Sequence, residues 1–446
     1  MCRRAARRLA FPAPGCLIFY TDFAVRRADN CRSLFQNCGG SAFLYEFSKK
    51  ENDFLHRNDS KIVHAVLTLP PRGGYNNGRG KKGMVRPKRP SETNSKAKER
   101  MRKSMGNKQI IFTAPNTAEL VDVPTGEPGE FDVLVDVAYS TISPGTERAN
   151  ITGDMNIAPG RDAAHTHGFP RKLGYSAAGT VIKVGSRVTR VKVGDRVVVC
   201  FGVHTKYSLV NESKAIKILD DSISLEEAAM SVIATFPAAG LRKTRPEFGE
   251  SAIVMGLGLL GQLAVQFCRA AGCAPVIAVD PIEERRAYAE KMGADYTFDP
   301  FAPDFVQNVK KVTNGKGVNV AVEVTGGGKA LDQVLDCMAR FGRVSLLGCT
   351  RNSDFTIDYY RKVHFPGITL VGAHTAARPD RESAPGYWCY DDELYGIFKL
   401  LKGGRIHFKD MIAETHLPEE APEVYTRLVN EKNFPLVVQF DWTKMN

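Results

Sequence analysis

Gly256, Gly258 and Gly261 stand in the spacing G-x-G-x-x-G, and Asp280 follows 19 residues after the last of them. Residues of these types at these distances can hold a dinucleotide. Gly256 permits a tight turn, Gly258 has no side chain to keep a pyrophosphate off the backbone, and Gly261 lets a helix pack closely on a sheet. Leu259 and Leu260 fall at the start of that helix, where free N–H groups and the helix dipole attract phosphate. The Asp280 carboxylate can accept hydrogen bonds from both hydroxyls of an adenosine ribose. It would repel a 2′-phosphate, so NAD is favoured over NADP.

Such residues need particular elements to carry them. An apolar strand at 252–255 runs into the glycine turn, a helix at 259–271 follows, and a second apolar strand at 276–279 ends in Asp280. That order, within about 30 residues, separates the motif from an ordinary strand-to-helix turn. Helices at 283–292, 305–313 and 330–339 then alternate with strands at 296–298, 318–324 and 342–347, which predicts a parallel, doubly wound sheet, and 368–372 reads as a further strand after it. Ligands of such sheets sit at the carboxyl ends of the strands, where Thr325 and Gly348 stand. Upstream, residues 108–115 and 132–139 alternate like strands, and short glycine-punctuated strands from 174 to 210 read as a small antiparallel barrel. Between them lies a turn-rich loop with several hydroxyls, 140–148, and a helical run from Leu225 leads on to the nucleotide-binding unit. The barrel should supply the second wall of a substrate site.

At 446 residues the chain should form two or three domains, and no apolar run reaches the roughly 18 residues of a membrane span. The net charge of +12 is uneven. Residues 1–105 hold 23 Lys+Arg against 8 Asp+Glu; the remainder hold 38 against 41. The body is therefore mildly acidic, and a nucleic-acid role would fall to the leading segment alone. That segment, 1–104, lacks periodicity and is expected to be disordered. Three readings of it stay open: a non-native addition ahead of a start at Met105, an Arg-rich targeting peptide, or a basic nucleic-acid-binding arm. The ten cysteines include no C-x-x-C pair, which argues against a disulfide framework or a cysteine-rich zinc lobe and for reduced thiols in a cytoplasmic protein.

Gly145-Thr146-Glu147 after the second strand, the run GYSAAGTVIKVGSRVTRVKVGDRVVV from Gly174, GLGLLG, Asp280, and Arg285 with Gly293-Ala294-Asp295 together resemble the medium-chain dehydrogenase/reductase superfamily, the group containing the zinc alcohol dehydrogenases. Within it the chain looks most like the branch of bacteriochlorophyllide-type hydroxyethyl dehydrogenases. The resemblance covers 106–446. It implies an α/β fold: a Rossmann doubly wound parallel sheet (229–367) inserted in a GroES-like β-barrel catalytic domain (105–228, with a return at 368–446). It also implies hydride transfer at nicotinamide C4, a small alcohol or ketone substrate, and a homodimer. Arg285 joins the cofactor-binding residues on this ground.

The chain departs from the zinc enzymes where their metal binds. Ser143 corresponds to a cysteine ligand, Tyr175 to the histidine of Gly-His-Glu, and Val232 to the third ligand. No zinc is therefore expected; His165 and His167, an H-x-H pair on a nearby loop, are the remaining candidates for metal. Without a Lewis acid, a side chain must manage the alcohol proton. Tyr175 occupies the former ligand position but needs its pKa lowered to act as a base. His204 aligns with a pocket-lining position and suits a general base. Ser143 and Thr146 can relay, and Glu147 can orient them or serve as an ion-pair partner of Arg148 or Arg343. Three functions follow: an NAD-dependent, zinc-free alcohol/ketone oxidoreductase; an NADPH-dependent enone or quinone reductase; or a dinucleotide-binding protein without catalysis.

Overall fold

A computed structural model of the chain describes residues 106–154, 168–351, 353 and 355–445. The leading segment and the pair His165 and His167 lie outside the described residues.

The chain opens with an antiparallel hairpin, β1 (Gly106–Ala114) and β2 (Thr117–Pro124). Then come β3 (Asp132–Thr141), α1 (Pro144–Ile151), β4 (Ser176–Val184), β5 (Arg196–Cys200), β6 (Tyr207–Asn211) and β7 (Ala215–Lys217). A seven-stranded sheet runs in the order β14-β15-β3-β4-β5-β7, with β6 paired to β3; β14 (Ile412–His416) and β15 (Val437–Asp441) arrive from the C-terminal end of the chain. Its interior is packed by alternating Val133, Val135 and Val137 of β3, with Tyr425, Phe440 and Trp442 from the returning segment.

Two helices lead out of the barrel, α2 (Leu225–Ala228) and α3 (Ser231–Thr244). A capping box starts α2: the Ser224 hydroxyl accepts the Glu227 N–H, and Glu227 reaches back to Ser224. The barrel grips the chain between these helices. Thr141 and Ser176 hydroxyls both donate to the Ala229 carbonyl, at 2.9 and 2.6 Å.

The nucleotide-type unit follows: β8 (Ala252–Met255), α4 (Leu259–Ala270), β9 (Val276–Val279), α5 (Glu283–Lys291), β10 (Tyr296–Phe298), α6 (Phe305–Val312), β11 (Val318–Glu323), α7 (Gly328–Cys337), β12 (Met338–Leu346) and β13 (Thr369–Gly372). The strands are parallel in the order β10-β9-β8-β11-β12-β13. Every residue of β8 and β9 is buried, because helices cover both faces. The last part comprises α8 (Tyr390–Lys402), β14, α9 (Ala421–Asn430) and β15.

Three expectations change. Residues 144–151 form a helix rather than a loop: Pro144 at its first position presets φ, and the Glu147 carboxylate accepts the Ser143 N–H at 2.9 Å. The strand at 369–372 pairs with β12, so the parallel sheet continues past residue 367 and the barrel sheet is rejoined only at β14. The single helical run expected after Leu225 is divided in two near Met230.

Candidate active site

α4 begins at Leu259, directly after the glycine turn. Gly256 has φ of +95°, which glycine adopts freely. A Cβ on Gly261 would lie 1.9 Å from the Gly256 carbonyl oxygen, so helix and turn touch only because this residue is glycine. A Cβ on Gly258 would meet nothing within 4 Å; the space beyond it is open. The Thr325 methyl and Gly348 close the same end of the sheet, Gly348 against the Gly326 backbone. Glu323 ties this corner by accepting the N–H groups of Thr325 (2.7 Å) and Gly326 (3.1 Å) and the Thr325 hydroxyl. Burial raises its pKa in spite of those bonds.

Asp280 is buried at the tip of β9. Its Oδ2 accepts the Leu257 N–H at 2.8 Å and its Oδ1 the Ile282 N–H at 2.9 Å; Arg285 Nη1 is 3.8 Å from Oδ2. Each carboxylate oxygen keeps a second lone pair. Asp280 thus staples the turn and retains acceptor capacity. Gly258 and Leu259 line a small cleft, about 70 Å³, with Arg148, Arg285 and Lys432. Burial, and then the nearby Arg285, lowers the Arg148 pKa. Three cations gathered at a helix N-terminus suit a pyrophosphate. Arg148 is held there by donating to the Leu428 carbonyl at 2.6 Å.

On the barrel side the Tyr175 hydroxyl donates to Ser143 Oγ at 2.5 Å. Its ring lies 5.6 Å from Phe236 and 6.1 Å from Phe201. Burial raises the phenol well above its usual pKa, against hydrogen bonds with Ser143 and Thr146 that lower it. The lowered pKa needed for a tyrosine base is therefore absent; the phenol keeps its proton and donates it in the hydrogen bond to Ser143.

His204 lies elsewhere than expected. It is 1 % exposed, Nδ1 is 2.7 Å from Ser140 Oγ, and Nε2 is 3.2 Å from Glu147 Oε2. The Trp442 indole N–H also reaches Ser140 Oγ, at 2.8 Å. The donors and acceptors close if Ser140 donates to Nδ1 and His204 donates from Nε2 to Glu147. Glu147, fully buried, further accepts the Tyr425 hydroxyl at 2.6 Å and the Ser143 N–H. Both ring nitrogens are thus engaged inside the barrel, and His204 is linked through Glu147 to the Ser143 N–H rather than placed at a pocket wall. Nor does Glu147 pair with Arg148 or Arg343, the latter being bound to Glu250.

Sequence reasoning missed Arg148 and Lys432 as cations of the cleft at the glycine turn, Ser140, Tyr425 and Trp442 as network members, and Phe201 and Phe236 as ring neighbours. Pro144 was the one available signal, since proline marks a first helical turn and would have fixed the direction of Arg148.

A GroES-like barrel joined to a six-stranded parallel sheet with a glycine turn defines a two-domain nicotinamide-dependent dehydrogenase. The family model "Alcohol dehydrogenase GroES-like domain" matches residues 129–239, and "Zinc-binding dehydrogenase" matches 260–385. The chain is 30% identical over 342 residues to the L-threonine 3-dehydrogenase of Pyrococcus furiosus, covering 69% of this chain and 90% of that one. It is 27% identical over 343 residues to the D-guloside 3-dehydrogenase of Escherichia coli, covering 73% and 96%. The crystal structure of benzyl alcohol dehydrogenase from Acinetobacter calcoaceticus shares the fold, with a TM-score of 0.64 at 19% identity over 75% of this chain and 99% of that one. The chain belongs to the medium-chain dehydrogenase/reductase superfamily, in its zinc-type, alcohol dehydrogenase-like division, and is an oxidoreductase.

The family implies zinc. At the corresponding positions stand two mutually bonded hydroxyls, Ser143 and Tyr175, and the buried apolar Val232. Zinc takes deprotonated thiolate or carboxylate and neutral imidazole. A phenol whose pKa is raised by burial and a serine hydroxyl do not fit it. Among the described residues, no three His, Cys, Asp or Glu lie grouped as a metal site.

Proposed function

We propose that this protein interconverts a secondary alcohol and a ketone with NAD(H), without zinc, using Tyr175 as the proton-carrying group. The observation that carries the reading is the 2.5 Å bond from the Tyr175 hydroxyl to Ser143 Oγ at the place the resemblance gives to metal ligands. When bound, the nicotinamide supplies or accepts the hydride. In ketone reduction Tyr175 gives its proton to the carbonyl oxygen as the C–H bond forms. Ser143 and Thr146 stabilise the phenolate left behind by hydrogen bonding. Phe201 and Phe236 keep water from the phenol, and the Glu147–His204 pair fixes Ser143. Arg148, Arg285 and Lys432 take the pyrophosphate, and Asp280 takes the ribose.

The test is a reduction assay on protein stripped of metal with a chelator and checked by elemental analysis, using NADH and NADPH against ketones and enones. Retained NADH-dependent ketone reduction supports the reading; activity that returns only with added zinc ends it. A neutral tyrosine acid would equally protonate the carbanion of a reduced enone, so turnover of enones alone, with NADPH, selects the second reading. The open edge of β13 is where a second copy would extend the parallel sheet, and sedimentation of the full chain tests for that homodimer.

A further inference from the structure

A cavity of about 430 Å³ lies beside the cofactor cleft, between α4 and α5 on one side and the segments around 410–413 and 433–436 on the other. That volume is in the range of small-molecule sites. Arg285, Phe434 and Leu436 line both spaces, so the two adjoin.

The wall carries an unmet polar group. Gln262 is fully buried; its Nε2 donates to the carbonyls of Arg285 (2.8 Å) and Leu257 (3.3 Å), which fixes the direction of the amide. Its Oε1 is buried without a hydrogen-bond partner among the described residues. A buried acceptor left unpaired costs on the order of 1–3 kcal/mol, and a donor brought into the cavity would recover it. Arg285 adds a cation whose close carboxylate among the described residues, Asp280, stands at 3.8 Å and is already bonded to two backbone N–H groups. Met411, Phe434 and Leu436 make the remaining wall apolar. Glu284 and Asp410 at the lining disfavour a second negative charge.

We propose that this cavity is a second ligand site, separate from substrate and cofactor, for a small monoanionic acid with a ring-sized apolar body and one N–H or O–H donor. The donor meets Gln262 Oε1, the acid meets Arg285, and the ring lies against Met411, Phe434 and Leu436. Because Arg285 also faces the pyrophosphate, occupancy changes cofactor affinity. The proposal builds on the cofactor-cleft assignment above, and its test can fail independently of it.

The probe is indole-3-acetate, which has an indole N–H, a carboxylate and an apolar ring. It is titrated calorimetrically into the full chain saturated with NADH, and into the chain alone. The expected result is one site per chain. Affinity should fall at least about tenfold in Ala413→Trp, which fills the cavity from an exposed strand position. 1-Naphthaleneacetate, which lacks the N–H, should bind at least about tenfold more weakly than indole-3-acetate to the wild type and equally in Gln262→Met. Absence of binding, unchanged affinity in Ala413→Trp, or stoichiometric displacement of the probe by NADH would each overturn the proposal, the last by assigning the cavity to the cofactor. Failure of NADH to bind would instead refute the cofactor-cleft assignment, and the titration of the chain alone would still report on the cavity.

Discussion

Tyr175 and Ser143 share a hydrogen bond of 2.5 Å although they are 32 residues apart in the chain. The bond joins the start of α1 to the edge of β4, and it links the proposed proton carrier to the Glu147–His204 network. Tyr175→Phe keeps the ring and its aromatic neighbours but removes the donor. The expected outcome is a loss of about 10²–10³ in kcat with NADH affinity unchanged, measured by steady-state rates and fluorescence titration. Ser143→Ala should lower kcat less, because Thr146 still faces the phenol. Full activity in Tyr175→Phe would remove Tyr175 from the reaction.

The network behind that bond makes its own prediction. Glu147→Ala leaves three buried donors, on Ser143, His204 and Tyr425, without their acceptor. A loss of about 3–5 kcal/mol in unfolding free energy is expected from denaturant titration. Glu147→Gln, which keeps an acceptor oxygen, should fold and show a lower kcat with little change in KM for the cofactor. A Glu147→Ala variant as stable as the wild type would mean that these three bonds contribute little to the fold.

The glycine turn separates folding from binding. Gly261→Ala drives a methyl into the Gly256 carbonyl and should cost a few kcal/mol of stability as well as cofactor affinity. Gly258→Val places its side chain in open space. Its Tm should stay close to that of the wild type while NADH affinity falls at least about tenfold, and a scan of Tm beside a titration reads both. Unchanged NADH affinity in Gly258→Val would move the pyrophosphate away from this turn.

A surface cluster on β14 sets a pH dependence. Burial alone would lower the pKa of His416, but Glu414 at 2.8 Å and Glu420 at 3.3 Å outweigh it and raise the value above the usual 6.5. A raised histidine pKa stabilises the fold below the unfolded value, and that contribution is lost as pH rises through the folded value. Wild type should therefore exceed His416→Gln by up to about 1 kcal/mol near pH 5.5 and match it near pH 9 in denaturant titrations at low salt. Arg427 holds the pKa of Glu414 down to about 2, so Glu414 itself keeps its charge across that window.

The nucleotide unit was legible because its signals are local. Glycine spacing, a fully apolar β8 and β9, and an acid at a strand tip all lie within one short stretch. The barrel site was less so. Ser143 and Tyr175 were found by position, but Glu147 meets Tyr425 of α9 and His204, which in turn meets Ser140 of β3 and through it Trp442 after β15, and no spacing in the sequence joins Ser140, Tyr425 and Trp442. His204 looked like a base because it aligns with a pocket-lining position of the resembled family; its burial between Ser140 and Glu147 is a tertiary fact. α1 escaped because an eight-residue helix with a buried glutamate has no apolar stripe to reveal it. Half-exposed β2 is absent from the sequence expectations, although its alternation is there to be read.

Gly174 precedes Tyr175 with φ of +113°, and a Cβ there would collide with the His204 backbone nitrogen at 2.3 Å. The residue before Tyr175 thus rests directly on the barrel's inner frame. The side chain at 175 is accordingly open to revision without moving the main chain, while the masonry under it is not: hardly any substitution at 174 would leave the group at 175 aimed at the same point.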